Sequence, residues 1–274
     1  MKNTAPGESG ITPQIWKVLL ENIDTKRYLH TIIKQIWTSE SIPNEWNIGR
    51  LTILPKKGDL SLTKNYRGIT LLEVAYKIIA ILLHTRLLPI QEGLDREPQC
   101  GFRPERGCID AIYTVKLALK KRREHGGESW VFFLDLVKAF DRVPRELLWK
   151  VLERFGVPAK LISILKALHN NFEVKFTVDD NTHIVSCTIG VKQGDILGPI
   201  LFTFFLAAVM ITWRATTNTP LCVFRTKNDA KMTGRSYRAY GDEFSLNDSE
   251  YANDTALIFD SRTDCETGME YPFA

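Results

Sequence analysis

The stretch that most limits what this chain can become is Trp130–Asp141, WVFFLDLVKAFD. Five consecutive apolar residues, Trp130 to Leu134, run straight into an acidic one, Asp135. A fully apolar run of that length predicts a strand buried on both faces. Asp135 then falls at the strand's end, where a carboxylate can leave the core and face a cleft. Inside the core it would cost desolvation energy unless a cation or hydrogen bonds met it. The same residue could equally cap the turn that follows.

At 274 residues the chain is long enough for one large domain or two small ones, and 44% hydrophobic with 25% charged residues allows a real core. The first ten residues, MKNTAPGESG, contain no apolar run of the kind a secretory leader needs. Five cysteines with no CxxC pair fit reduced thiols better than a disulfide framework or a zinc site. Both observations predict an intracellular protein, with nucleus and cytoplasm left open. Charge is unevenly spread: residues 50–123 carry 15 Lys/Arg against 7 Asp/Glu, while 124–274 carry 16 against 20. A basic block before an acidic one suits a polyanion-binding surface beside a cation-binding site, and two solvated faces would look the same.

Along the chain, residues 13–37 read as two amphipathic helices, with Asp24 and Thr25 as break and cap. A strand over 50–54 ends at Pro55-Lys56-Lys57-Gly58-Asp59, a turn with two adjacent lysines. Residues 71–88 have helical period. A further helix is predicted from Gly101-Phe102-Arg103-Pro104 to Arg123, with Ile109, Ile112, Val115 and Leu119 inward. Its last turn, Lys120 to Arg123, favours the helix dipole whether or not it meets a polyanion. Pro144 opens a helix stopped by Gly156, and another follows from Pro158 to about His169. Residues 172–188 alternate as a hairpin around Asp179-Asp180-Asn181. The apolar run Ile196–Trp213 is near the lower limit for a membrane span but stands alone, so a buried central helix is expected and no membrane partner. Glu250–Phe259 reads as two short apolar arms about a polar tip.

Five ordered blocks then carry a resemblance. PNEWNIGRLTILPKKGDL with NYRGITLL (43–72), QCGFRPERGCIDAI (99–112), VFFLDLVKAFDRVP (131–144), GVKQGDILGPILF (190–202) and YANDTALIF (251–259) together resemble the reverse transcriptase domain of non-LTR retrotransposons. The resemblance implies an α+β right-hand polymerase fold, with fingers over 1–125, a palm over 126–274 holding an antiparallel sheet packed on helices, and no thumb before the chain stops. It implies template-directed DNA synthesis on RNA, with RNA template, DNA primer and dNTP as partners and two Mg²⁺ ions as cofactors. Oligomeric state is left open.

By the same resemblance, Asp135 and Asp254 are metal ligands, and Asn253 stands where the family has the first Asp of a pair. Lys56 and Arg67 would hold the triphosphate, by point charge and bidentate fork respectively. Phe140 would stack beneath the incoming sugar, Gln193 and Gly194 would line the base and template pocket, and Lys57 and Arg103 would meet template phosphates. Lys138 and Asp141 belong to the motif as structural residues, Asp141 as a cap for the Pro144 helix. Asn253 brings an amide oxygen but no charge. Removing a unit charge about 4 Å from another is worth up to ~4 kcal/mol at an effective dielectric of 20, so a weak second ion and impaired transfer are expected. The alternative is an inactive, retrotransposon-derived nucleic-acid-binding remnant. Gly198, where the family has Ser, is expected to loosen the start of the long helix.

Overall fold

A computed structural model of the chain describes residues 5–94, 97–124, 126–178, 180–217, 222–227 and 240–270. Backbone proximity divides it into two units interleaved in sequence: 1–94 with 138–205, and 95–137 with 206–274.

The first unit opens with α1 (Pro13–Leu19) and α2 (Ile23–Ser39). The cap of α2 is Asn22, not the expected Asp24 or Thr25: its Oδ1 accepts from the N–H groups of both. β1 (Ile48–Pro55) pairs antiparallel with β2 (Tyr66–Leu71) and parallel with β4 (Glu173–Val178), which pairs with β5 (Asn181–Ser186). The order is thus β2-β1-β4-β5. Asp179, at the expected β4–β5 turn, lies outside the described residues. α3 (Val74–Glu92), α5 (Arg145–Arg154) and α6 (Ala159–His169) supply much of the core, with Leu72, Leu87, Leu148, Leu152, Ile164 and Leu165 almost fully buried. Asp141 does not cap α5: the N-cap is Pro144, with no side-chain hydrogen bond, and Asp141 turns to Gln193 instead.

In the second unit, β3 (Trp130–Asp135) pairs with β9 (Asp254–Phe259), which pairs with β8 (Asp248–Tyr251), all antiparallel. The order β3-β9-β8 makes β3 an edge strand. That corrects the expectation of a strand buried on both faces: Phe133 is 73% exposed, while Ala256 to Phe259 on central β9 are buried. Length and apolarity identified a strand; they could not say which strand would be central.

α4 (Cys108–Glu124) begins later than the sequence suggested, because Phe102 and Glu105 adopt positive φ (58° each) and form turns. Of its expected inward residues, Val115 is buried and Leu119 packs against the cluster that holds it, while Ile109 and Ile112 are exposed. Ala111, Val115 and Ala118 are buried and Ile109 is 80% exposed, since the small residues let α4 lie close against Ala256, Ile258 and Cys222. β6 (Val223–Lys227) and β7 (Tyr240–Ser245) form a two-stranded ladder, and α8 (Arg262–Glu270) follows the sheet.

α7 (Leu197–Thr217) begins in the first unit and ends in the second. Both α3 and α7 are long and apolar enough to cross a membrane, and most of the α7 window is buried within the protein. Gly198 is closely packed at the helix start. A Cβ there would lie 2.7 Å from the carbonyl oxygen of Lys192, so the preceding loop has closed onto the missing side chain.

Candidate active site

In the second unit the ladder register sets Asp135 opposite Asp254, and Tyr251 opposite Asp254 on the other side. Two residues, Ala252 and Asn253, make the β8–β9 turn, with Ala252 at φ 58°. Neighbouring strands lie about 4.8 Å apart, so carboxylates at facing strand ends share one small volume. Both Asp135 and Asp254 are exposed. The Asn253 amide does not offer its oxygen to that volume: Nδ2 donates to Asp135 Oδ1 at 3.2 Å. An N–H directed at a carboxylate takes up the acceptor that a cation would use. Among the described residues no group of three Asp, Glu, His or Cys side chains could hold a metal ion. Two carboxylates on one rung could serve a single divalent ion; the set does not fit two.

The turn is braced by residues for which the sequence suggested no role. Gln99 is buried; its Oε1 accepts from the N–H of Gly101 at 2.7 Å and of Ala252 at 3.1 Å, and its Nε2 donates to Glu250 Oε2 at 3.0 Å. The backbones of Cys100 and Glu250 bond at 2.8 Å. Gly101 is obligatory, because a Cβ there would sit 2.1 Å from the Ala252 nitrogen. The block 99–112 therefore acts partly as a brace for the YAND turn. Its only signal in the sequence was the block itself.

Arg103 is engaged inside this unit, donating to the Gln99 carbonyl at 3.3 Å with Glu97 at 3.9 Å. The Lys120–Arg123 run splits by role. Arg122 pairs with Asp260 at 2.6 Å and donates to the Glu128 carbonyl and the Ser129 hydroxyl, whereas Lys120 and Arg123 are exposed.

In the first unit, Lys56 and Lys57 sit on the exposed turn after β1 and Arg67 is exposed on β2, opposite Leu54. Phe140 is half-buried and stacks on Phe202, with ring centroids 4.8 Å apart. Gln193 donates to Asp141 Oδ1 at 2.7 Å, its carbonyl accepts from Thr70 N–H at 3.1 Å, and Gly194 is exposed. A cleft of about 470 Å³ opens here, lined by Leu51, Thr70, Asp141, Arg145, Phe172 and Gln193 among others. Arg145, which lines it, donates to the carbonyls of Gly190 (2.8 Å), His169 (2.7 Å) and Ile189 (3.4 Å), with no carboxylate among its hydrogen-bond partners in the described residues.

A strand ending in Asp beside a hairpin that ends in a second Asp, on an α+β frame, is the arrangement of a polymerase palm. Solved structures agree on the fold. A telomerase from Candida tropicalis matches with TM-score 0.54 at 10% identity, over 89% of this chain and 50% of that one. A Candida albicans telomerase, solved with a fragment of telomeric RNA, matches with TM-score 0.52 at 11% identity, over 88% of this chain and 42% of that one. The family is fixed by sequence: residues 54–271 match the model of the reverse transcriptase (RNA-dependent DNA polymerase) family, and the chain belongs to that family.

Its curated relatives are proteins of mobile elements. The transposon TX1 149 kDa protein of Xenopus laevis is 25% identical over 98% of this chain, and the Pol polyprotein of the R2DM retrotransposable element of Drosophila melanogaster is 26% identical over 77%. An RNA-directed DNA polymerase from the mobile element jockey of Drosophila melanogaster is 27% identical over 73%. The chain spans only about a fifth of these relatives' length, 19% of the first two and 22% of the third.

Proposed function

We propose that this chain is the nucleotidyl-transfer region of a non-LTR-type reverse transcriptase, built to hold an RNA template, a DNA primer and a dNTP, in which transfer is impaired by Asn253. In this reading residues 1–125 serve as fingers and 126–274 as palm. One observation carries the reading: Asp135 and Asp254 share a ladder rung while Asn253 donates to Asp135. Asp135 and Asp254 are the residues for one Mg²⁺, with nucleotide phosphates as its remaining ligands. Such an ion would polarise the reacting phosphoryl group and draw in the attacking oxygen. The chain's other residues bind and orient. Lys56 and Arg67 meet triphosphate charge, the Phe140 ring presents a flat surface to the sugar, and Gln193 presents a base-facing turn.

A second reading is favoured by the direction of the Asn253 bond: a nucleic-acid-binding remnant whose acidic rung is satisfied internally and performs no chemistry. Primer extension on an RNA template with Mg²⁺ or Mn²⁺ separates them. The first reading expects slow extension by the natural chain and a large gain for Asn253→Asp. Failure of both proteins to extend, with salt-sensitive RNA binding intact, would establish the remnant.

A further inference from the structure

The four-stranded sheet of the first unit ends on β5 (Asn181–Ser186). Two other sheet edges are closed by loops. At the opposite edge of the same sheet, the Thr70 N–H of β2 donates to the Gln193 carbonyl at 3.1 Å. In the second unit, Glu250 N–H of β8 donates to the Pro98 carbonyl and Cys100 N–H to the Glu250 carbonyl, each at 2.8 Å. β5 has no such cover: every residue of it is exposed, Ile184 by 57% and Val185 by 51%. Open edges are ordinarily blunted by lysine, proline or a bulge. The β5 sequence NTHIVS carries no Lys, Arg, Asp, Glu or Pro, and its register against β4 runs without a shift from Asn181 to Ser186.

The pairing with β4 fixes which backbone groups of β5 point outward. Cys187 N–H donates at 2.8 Å to the carbonyl of Phe172, the residue directly opposite it in the ladder. Bonded and non-bonded pairs alternate along an antiparallel ladder. His183 and Val185 therefore bond inward to β4, and Thr182, Ile184 and Ser186 turn N–H and C=O away from the sheet. Among the described residues no backbone group pairs with those three. They are spaced symmetrically about Ile184, so an antiparallel second β5 meets all of them in one register. Ile184 then faces the partner's Ile184, and Thr182 faces the partner's Ser186. We propose that β5 is a dimer interface, pairing with β5 of a second copy of this chain about a twofold axis at Ile184.

The register suits the side chains as well as the backbone. Three outward pairs exchange about six hydrogen bonds, and it sets an apolar residue against its like and one hydroxyl against another. Such cross-strand pairs are favourable, whereas like charges directly opposite are not. On that face β4 places Lys175 beside Ile184, and Lys175 is already ion-paired with Glu8. The two Lys175 side chains of a dimer would stand three strand spacings apart, about 14 Å, which exceeds the Debye length of about 10 Å at 0.1 M salt. On the other face His183 stacks on Phe176, with ring centroids 5.4 Å apart, and Val185 lies opposite Val174. The seam is thus flanked there by an apolar strip. An uncharged edge gives a polyanion nothing to pair with, which favours a strand over nucleic acid as the occupant. One strand pair buries less than a standard interface, so the association belongs to the weak, transient class.

The test is sedimentation of the chain from micromolar to millimolar concentration, together with intermolecular NOEs in a mixed labelled and unlabelled sample. Neither nucleic acid nor nucleotide is present, so the outcome is independent of the polymerase reading. The expected result is a monomer–dimer equilibrium, with NOEs between the α-protons of His183 and the partner's Val185. Those residues face each other in a non-hydrogen-bonded pair, with Cα atoms about 4.5 Å apart. Ile184→Lys should abolish the dimer by setting two ammonium groups across the axis. Ile109→Lys, at an exposed position on α4, should leave it unchanged. A chain that stays monomeric throughout, a dimer that survives Ile184→Lys, or NOEs that place another surface at the axis would overturn the proposal. Should Ile184→Lys fail to fold, the natural chain's sedimentation and NOEs still decide.

Discussion

Asn253→Asp is the substitution that most directly probes the palm. The natural amide donates to Asp135 Oδ1 at 3.2 Å, and a carboxylate there replaces an attraction with a repulsion. Two unit charges about 4 Å apart repel by ~1 kcal/mol at the dielectric of water and ~4 kcal/mol at an effective dielectric of 20. Asp135 and Asp254 are exposed, so the lower end applies. The lost hydrogen bond adds about 1 kcal/mol. The metal-free variant should therefore be about 2 kcal/mol less stable, a fall in Tm of roughly 4–8 °C for a chain of this size. Saturating Mg²⁺ should reverse the fall, because a ligand at a hundred times its Kd stabilises by about 2.7 kcal/mol. The natural chain should gain less. The assay is thermal melting with and without MgCl₂ at constant ionic strength, with Asp254→Asn in the variant background as control. If the natural chain gains as much from Mg²⁺ as the variant does, the argument that Asn253 occupies a cation's place fails.

The remaining expectations concern the supports of the site. Gly198→Ser should destabilise by about 1–3 kcal/mol, because the new Cβ would sit 2.7 Å from a backbone oxygen; a urea midpoint unchanged from the natural chain would refute it. Gln99→Ala should cost about 2 kcal/mol or more by stranding the N–H groups of Gly101 and Ala252, with faster amide exchange at Ala252 as the local readout. Arg122→Ala should lower stability, whereas Lys120→Ala and Arg123→Ala should leave it alone and flatten the salt dependence of RNA binding. His169 is held neutral down to about 3 by burial first and by Lys192 next. As pH falls below its ordinary value the unfolded chain takes up a proton that the fold refuses, so stability drops by up to about 1.4 kcal/mol per pH unit. Urea midpoints across mildly acidic pH should show a shallower slope for His169→Gln.

What the sequence disclosed about this protein, and what it withheld, follows from the range of the forces involved. The strand at Trp130–Asp135, the hairpin about the 252–253 tip and the helix after Gly198 were legible because periodicity and turn chemistry are local. The exposure of Phe133 was not, since edge or centre depends on which strands pair, and β8 and β9 lie more than a hundred residues away. Nor was the whole inward face of α4. Val115 and Leu119 were legible, but the pattern favours large apolar side chains, and close packing against Ala256 and Ile258 took Ala118 and left Ile109 and Ile112 exposed. Asn253 shows the same boundary inside the site. The sequence revealed a missing charge; only the register of β3, β9 and β8 reveals that the amide turns its donor towards Asp135. The difference matters chemically. An amide oxygen facing the rung would be a weak ligand awaiting a cation, whereas an amide N–H competes with one. The chain's deficit is then a competition at Asp135 as well as a lost charge, and restoring the carboxylate removes both at once.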